Sequence, residues 1–409
     1  MKPALTAWKP VLGLAFCLIY PSIAIFKKLG VAPLLLYGLV VLVVLALTRR
    51  QLVPLLLPKL TPLRAGVALA LLLGALLAAY LLIHPHINKV GFQLLGRSFG
   101  ACDQSDALEV ALREILHGRY PYYAKTFLNG PISPLPGAVL LASPFYLFGD
   151  VALQNFFWLA VFIGGFAWFH RNLSLAVLVA YVTCLLSPHV VYHILQGGDY
   201  LSNGIYVLAA CACLVEAVHR RRSLWQCAGW ALLAGVAFSS RLNFIILLPL
   251  VIGALLRLAS WRQALALIAV VLAGFAVVTL PFALFDPAGF SPLHTANKLS
   301  INGAFRWAPY VAPLLGGLLA IALAVGRKRY QLPTLLGDMF FVQAFLMVFS
   351  LALASLHGGS LNFEWFSFGI LFMFFGIFAF GPASLLPAEE SNATAPPTNP
   401  RSTHPAPPV

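Results

Sequence analysis

Between residues 10 and 381 the chain is a succession of apolar runs, each close to the thickness of a bilayer, and nothing else in it restricts the fold so severely. The runs lie at about 10–26, 31–48, 65–83, 151–169, 173–188, 201–217, 224–239, 243–258, 263–285, 308–325, 334–356 and 364–381. A helix needs roughly 17 to 25 apolar residues to cross the hydrocarbon core. The pattern predicts an all-α polytopic membrane protein of about twelve transmembrane helices. Composition agrees: 61% of the residues are hydrophobic and only 9% charged, where soluble domains carry about a quarter charged residues. The first run is followed at once by further spans and lacks a clear small-residue cleavage site, so no cleavable signal peptide is expected.

The formal charge of +14 does not point to nucleic acid, because the bases fall in short clusters between apolar runs, as cytoplasmic loops require. Arg49, Arg50, Lys59 and Arg64, then Arg171, Arg220 to Arg222, Arg257 and Arg262, and Arg327 to Arg329 all fall on one side if segment 135–148 is re-entrant or interfacial and does not cross. That segment is short and carries Pro136 and Pro144. Lys27 and Lys28 fall on the outer side, against the trend. Five loops, 97–135, 188–203, 239–243, 285–308 and 357–364, should then meet at the extracytoplasmic face. Four regions follow: N-terminal transmembrane helices (1–83), an extracytoplasmic catalytic loop (84–150), a transmembrane bundle (151–381) and a proline-rich, disordered cytoplasmic tail (382–409). Asn392 heads a glycosylation triplet that would go unused there.

Residues 97–145 gather acids, bases, aromatics and prolines in a chain that is otherwise nearly all hydrocarbon. Leu108, Ala111, Leu112, Ile115 and Leu116 recur at helical spacing, with Asp106, Glu109 and Arg113 on the other face. This predicts an amphipathic helix lying on the membrane surface and ending at Gly118 and Pro121. Asp106 with Glu109 resembles a capping arrangement, and Glu109 with Arg113 an i, i+4 pair. Asp106 thus has a structural use; Asp103, just before the helix, has none evident. A surface aspartate can serve as a general base. Arg119, Tyr122, Tyr123, Lys125 and Asn129 follow it and suit a substrate with an apolar tail and an anionic head. Taken singly, such tyrosines and bases are more often interfacial anchors.

The order of an aspartate, a surface helix, Gly118, Pro121 and Tyr122, then PISPLPG leading to an apolar segment that ends at Gly149, resembles the first extracytoplasmic loop of the GT-C superfamily. These integral-membrane glycosyltransferases, among them polyprenol-phosphate mannosyltransferases and aminoarabinose transferases, use polyprenyl-phosphate sugars. The resemblance implies a catalytic acid on Asp103, or on Asp106 after a slip of one turn. The family's Pro-Pro-Leu element stands here as Ser133, Pro134, Leu135 and Pro136, and its Asp-X-Asp pair is absent unless Asp103 and Asp106 share that role. LQGGDYLSNGIYVLAA, with Gln196 and Asp199, is similar to a Gly-Gln-Asn loop of the mannosyltransferase branch. AGVAFSSRLNFIILLPL is similar to the family's glycine-rich span followed by a base, here Arg241. A charge at that turn of a helical hairpin either pairs with an anion, for which a lipid phosphate would serve, or snorkels to the surface from the helix end. Lys298 and Arg306, with His294 near them, are further phosphate-binding candidates.

The resemblance implies a transferase that moves a sugar from a polyprenyl-phosphate cosubstrate to a glycan, lipid or protein acceptor, in the inner membrane of a bacterium. His189, His193, His357 and Glu364 could line a cavity at the outer face, but no three-ligand spacing marks a metal site. A divalent ion assisting the donor is the one cofactor left open. All six cysteines are read as unpaired, five in apolar runs and Cys102 in the loop. The rival classes are a membrane transporter or lipid flippase, which calls for inverted repeats and polar residues in mid-span, and a non-catalytic GT-C relative.

Overall fold

The computed structural model describes residues 2–293, 307–328 and 330–386. In them the apolar runs form helices: α1 (Lys2–Phe26), α2 (Val31–Leu47), short α3 (Val53–Leu56) and α4 (Pro62–Ile87) precede the polar loop. The loop holds a two-stranded antiparallel hairpin, β1 (Phe92–Leu94) with β2 (Arg97–Phe99), then α5 (Gln104–Leu116) and α6 (Pro136–Leu147). After it come α7 (Gln154–His170), α8 (Leu173–Leu186), α9 (Pro188–Leu195), α10 (Tyr200–His219) and α11 (Leu224–Phe238). The chain continues through α12 (Leu242–Ile245), α13 (Leu248–Leu258), α14 (Trp261–Phe285), α15 (Ala308–Gly326), α16 (Leu332–Gly358) and α17 (Ile370–Leu385).

Among the described residues nine helices are long and apolar enough to cross a membrane, or ten if the bent pair α8 and α9 is one span. The chain is an all-α, multi-pass membrane protein. The other apolar runs are interrupted in ways that length alone does not show. Pro188 restarts the helix at an angle of 82° to α8. Ser239, Ser240 and Arg241 end α11, which at 15 residues is only about 22 Å long. Helix α6 has 12 residues, with Pro136 at its start and Pro144 inside.

Helices α10 and α17 pack against each other and are the most enclosed of the long helices, with α1, α7, α11 and α16 around them. Helices α2, α4 and α14 leave most of their apolar surface outward, as helices facing lipid do. Aromatic rings fill the centre: Phe374 meets Phe162, and Phe340 and Phe372 meet Phe16. A second, smaller core joins α5, α6 and the segment after α14 through Leu108, Ala111, Tyr122, Ile132, Val139 and Phe290.

Loops from one end of the bundle close on residues 97–135. Gln196 Nε2 donates to Gly100 O (2.7 Å), Leu135 N to Ser240 O (3.0 Å) and Ser291 Oγ to Ile132 O (2.5 Å). Phe368, after α16, stacks on Tyr200. Lys28 also reaches this end, donating to Ser98 O at 2.7 Å with its ammonium over Phe99, and Lys27 lies over Phe363. Both lysines therefore have local partners, Lys28 at the hairpin and Lys27 at Phe363. At other helix ends Arg327 pairs with Asp338 (2.5 Å) and Arg220 with Glu216 (2.6 Å).

Candidate functional site

Asp103 and Asp106 both hold one small turn. Asp103 stands at the N-terminal cap position of α5, but its carboxylate does not cap the helix. Its Oδ2 accepts from Thr126 Oγ1 at 2.6 Å, and the same hydroxyl accepts from Gly130 N at 3.1 Å. Asp106 Oδ2 accepts from Phe127 N at 2.8 Å. Between them the two acids clamp residues 125–131, a tight loop closed by a bridge between Lys125 and Pro131 and by Thr126 N on Gly130 O (2.9 Å). Asp106 is employed structurally, as expected, but as a loop clamp and not as a cap, because it lies inside the first turn. Glu109 does not meet Arg113, whose neighbour is Glu114 at 3.9 Å. It faces inward, where burial, then Asp150 and Asp106, push its carboxyl above the ordinary value. Asp150 accepts from Tyr80 Oη at 2.5 Å.

Arg241 and Asp199 form the most enclosed ion pair among the described residues. Arg241 Nη2 donates to Asp199 Oδ1 (2.7 Å) and Oδ2 (2.5 Å), with side-chain exposures of 12% and 1%. The guanidinium lies 4.9 Å over the Tyr200 ring, and Nη1 donates to Ser133 Oγ at 3.3 Å. Arg241 Nε is buried without a partner, which leaves one donor unspent. Isolated charges this deep are costly, and pairing offsets that cost.

Asp199 is aimed by its turn. The backbone at Gly197 is left-handed (φ 73°), and a Cβ on Gly198 would lie 2.1 Å from His193 Cε1. His193 Nε2 accepts from Tyr200 N at 3.0 Å, and its ring stacks on Tyr200. Gly198 O accepts from Asn155 Nδ2 (2.8 Å), and Asp199 N donates to Gln104 Oε1 (2.9 Å). Gln104, the residue adjoining Asp103, thus ties the Arg241 pair to the start of α5. Cys102 sits among the same charges. Burial first, with Asp199 and Asp103 adding to it, pushes its thiol up to about 12, opposed by a bond to the Gln104 backbone and by Arg241.

Arg241 opens on a cavity of about 370 Å³. Ser133, Tyr200, Asn243 and Ser350 supply polar groups, and Ile246, Leu346, Met347 and Trp365 much of the apolar wall. Ser350 Oγ is buried and unpartnered. Asn243 is fixed by a reciprocal pair with Gln343 (2.7 and 2.6 Å). The combination of a cation at one end and hydrocarbon along the walls suits a lipid with an anionic head.

The remaining predicted residues divide. Gln196 is buried and anchors the turn to Gly100. Arg119 is exposed and makes a bidentate pair with Glu114 at the far end of α5, so it is not gathered with Asp103. Tyr122 is buried, donates to Pro134 O (3.2 Å) and packs edge-on to Phe290. Tyr123 is exposed and donates to Asp286 Oδ2 (2.9 Å). The Gly289 N–H and this Tyr123 bond hold the Asp286 carboxyl below the ordinary range. Lys125 and Asn129 are exposed on the clamped loop, Asn129 with φ 63°. Lys298, Arg306 and His294, like the Glu364 side chain, lie outside the described residues. His189 is buried, with neither ring nitrogen bonded, and among the described residues no group of three or more His, Cys, Asp or Glu side chains could hold a metal.

Sequence reasoning missed Thr126, Gln104 and Tyr200; Ser133 entered it only as part of the proline element and His193 only as a possible cavity lining. The two glycines before Asp199 signal a backbone held close to something, here the His193 ring. No protein-family model, curated protein or solved structure matches the chain.

Proposed function

We propose that the protein is a glycosyltransferase that moves a sugar from a polyprenyl-phosphate donor to an acceptor hydroxyl. One observation carries this reading: a partly exposed carboxylate, Asp103, is tied through its neighbour Gln104 and through Asp199 to a largely enclosed Arg241 at the head of an apolar cavity. The donor's tail lies in that cavity and its phosphate against Arg241, which Asp199 and Tyr200 hold in place. Asp103 exchanges the Thr126 hydroxyl for the acceptor hydroxyl and takes its proton. The acceptor oxygen bonds to the anomeric carbon, and the bond from that carbon to the phosphate oxygen breaks with its electron pair. Cationic groups stabilise the phosphate that leaves.

In this reading the face carrying the loops is extracytoplasmic, in the inner membrane of a bacterium. The short helices α11 and α12 to α13 complete twelve spans with the bent pair, and α6 is re-entrant. Purified protein incubated with a panel of labelled polyprenyl-phosphate sugars, with and without chelator, should transfer label to an acceptor. Label that stays on the lipid throughout, in a folded sample offered varied acceptors, would count against the transferase and for a carrier of such lipids.

A further inference from the structure

Six bases gather at the other end of α10, about 30 Å from Asp199 along that helix. Arg220, Arg221 and Arg222 follow α10, Arg171 follows α7, and Lys59 and Arg64 flank the start of α4. The Arg220 guanidinium lies 4.6 Å over the Trp168 ring, which joins the ends of α10 and α7. Ser174 Oγ donates to Leu60 O at 2.6 Å, which brings the α4 segment beside them. Segments 57–64, 168–174 and 216–224 contain one acid, Glu216, and it is spent on Arg220 Nε at 2.6 Å. Among the described residues no bond occupies either terminal nitrogen of Arg220, and Arg171, Arg221 and Arg222 are exposed.

The general bias of loop charge is met by a base anywhere in a loop, but two of these arginines stand where a side chain strains the backbone. Arg171 and Arg221 have φ of 51° and 53°. This is the left-handed position that closes a helix and that glycine usually fills, because a Cβ there crowds the following carbonyl. The closing bonds run from Asn172 N to Ala167 O (3.1 Å) and from Arg222 N to Ala217 O (2.9 Å). Two neighbouring helices thus end in the same turn with arginine in glycine's place. Trp168 is 54% exposed, and from it towards the middle of α7 the outward face is Gly165, Gly164 and Ala160. A Cβ on either glycine would meet nothing within 4 Å, so this strip leaves room for hydrocarbon beside the cations. A tryptophan at the junction belongs at the boundary between membrane and water. Guanidinium forks match phosphate oxygens in pairs, and basic sites between helix ends suit anionic lipid heads. We infer that the ends of α7 and α10 bind an anionic phospholipid, with its phosphate among Arg171, Arg220 and Arg221 and an acyl chain along α7 past Trp168. The site does not depend on the transfer chemistry at Asp103.

The test uses the full chain in a neutral detergent, with phosphatidylglycerol or phosphatidylcholine of the same acyl chains added. Native mass spectrometry should show phosphatidylglycerol bound at least about fivefold more tightly, the effect of roughly one base near an anionic surface. Arg171→Gly combined with Arg221→Gly removes two charges at positions whose backbone glycine accepts. Its thermal midpoint in detergent alone should be kept or raised, while the preference for phosphatidylglycerol falls to near unity. A phosphatidylglycerol carrying a diazirine near its head should label residues 160–174 or 216–224 of the unmodified chain, a readout independent of how the variant folds. Equal affinity for the two lipids, a preference undiminished in the folded double variant, or labelling confined to other helices would each overturn the site. If glycerol phosphate without acyl chains displaced the lipid at equal concentration, the site would be one for a soluble phosphate, and the lipid assignment would fall.

Discussion

Arg241 bonds both carboxylate oxygens of Asp199, 42 residues earlier in the chain, and does so at the mouth of a cavity whose walls are largely hydrocarbon. An anion entering there meets a guanidinium already oriented by its counterion and by Tyr200, not a mobile charge.

Removing one member of this pair should be worse than removing both. Arg241→Met or Asp199→Asn alone leaves a buried group without its partner, which costs about 3 to 5 kcal/mol. The double variant should recover part of that loss. Thermal midpoints of the four proteins in one detergent complete the cycle, and strictly additive losses would show that the pair carries no coupling.

The two aspartates should separate in kinetics. Asn at position 103 can still accept from the Thr126 hydroxyl, and Asn at 106 from the Phe127 N–H, so both variants should fold. Asp103→Asn should lower the transfer rate by roughly 10² to 10⁴, the range for a lost general base. Asp106→Asn should keep most of it. Initial rates with labelled donor decide, and the opposite order would move the base to Asp106.

Glu109 should make the protein less stable as the pH rises. Burial and the acids Asp150 and Asp106 raise its folded pKa above the ordinary 4.5. Between the unfolded and the folded value the native state binds more protons, so stability falls as the pH climbs through that window and stays reduced above it. Glu109→Gln should therefore raise the thermal midpoint at neutral pH, with the advantage shrinking towards the unfolded value. A midpoint difference that does not change with pH would refute this.

Gly198→Ala should damage the site through packing. The new Cβ would fall on the His193 ring, and overpacking of this kind costs about 1 to 3 kcal/mol or more. Shortening His193 to Ala in the same chain should return part of the loss. If Gly198→Ala alone leaves the midpoint unchanged, the turn before Asp199 is not held as described.

The class of fold was legible in the chain because apolar runs of bilayer length have so few alternatives. Helix α5 was legible too, since Leu108, Ala111 and Leu112 mark its buried face with the period of a helix. The runs did not show where they break, because a proline or a serine pair changes direction without changing hydropathy. The bend between α8 and α9 and the short α11 belong to the tertiary structure.

For the candidate site, the sequence by itself determined which residues carry charge in an apolar chain, and thereby picked out Asp103, Asp199 and Arg241. Only the tertiary structure decided their partners. Arg241 looked like a lone cation because Asp199 is far from it along the chain, and Asp106 looked like a cap because Phe127 is 21 residues away. A charge announces itself locally through its composition, but the group that neutralises it is chosen by packing between helices, and that information is not local.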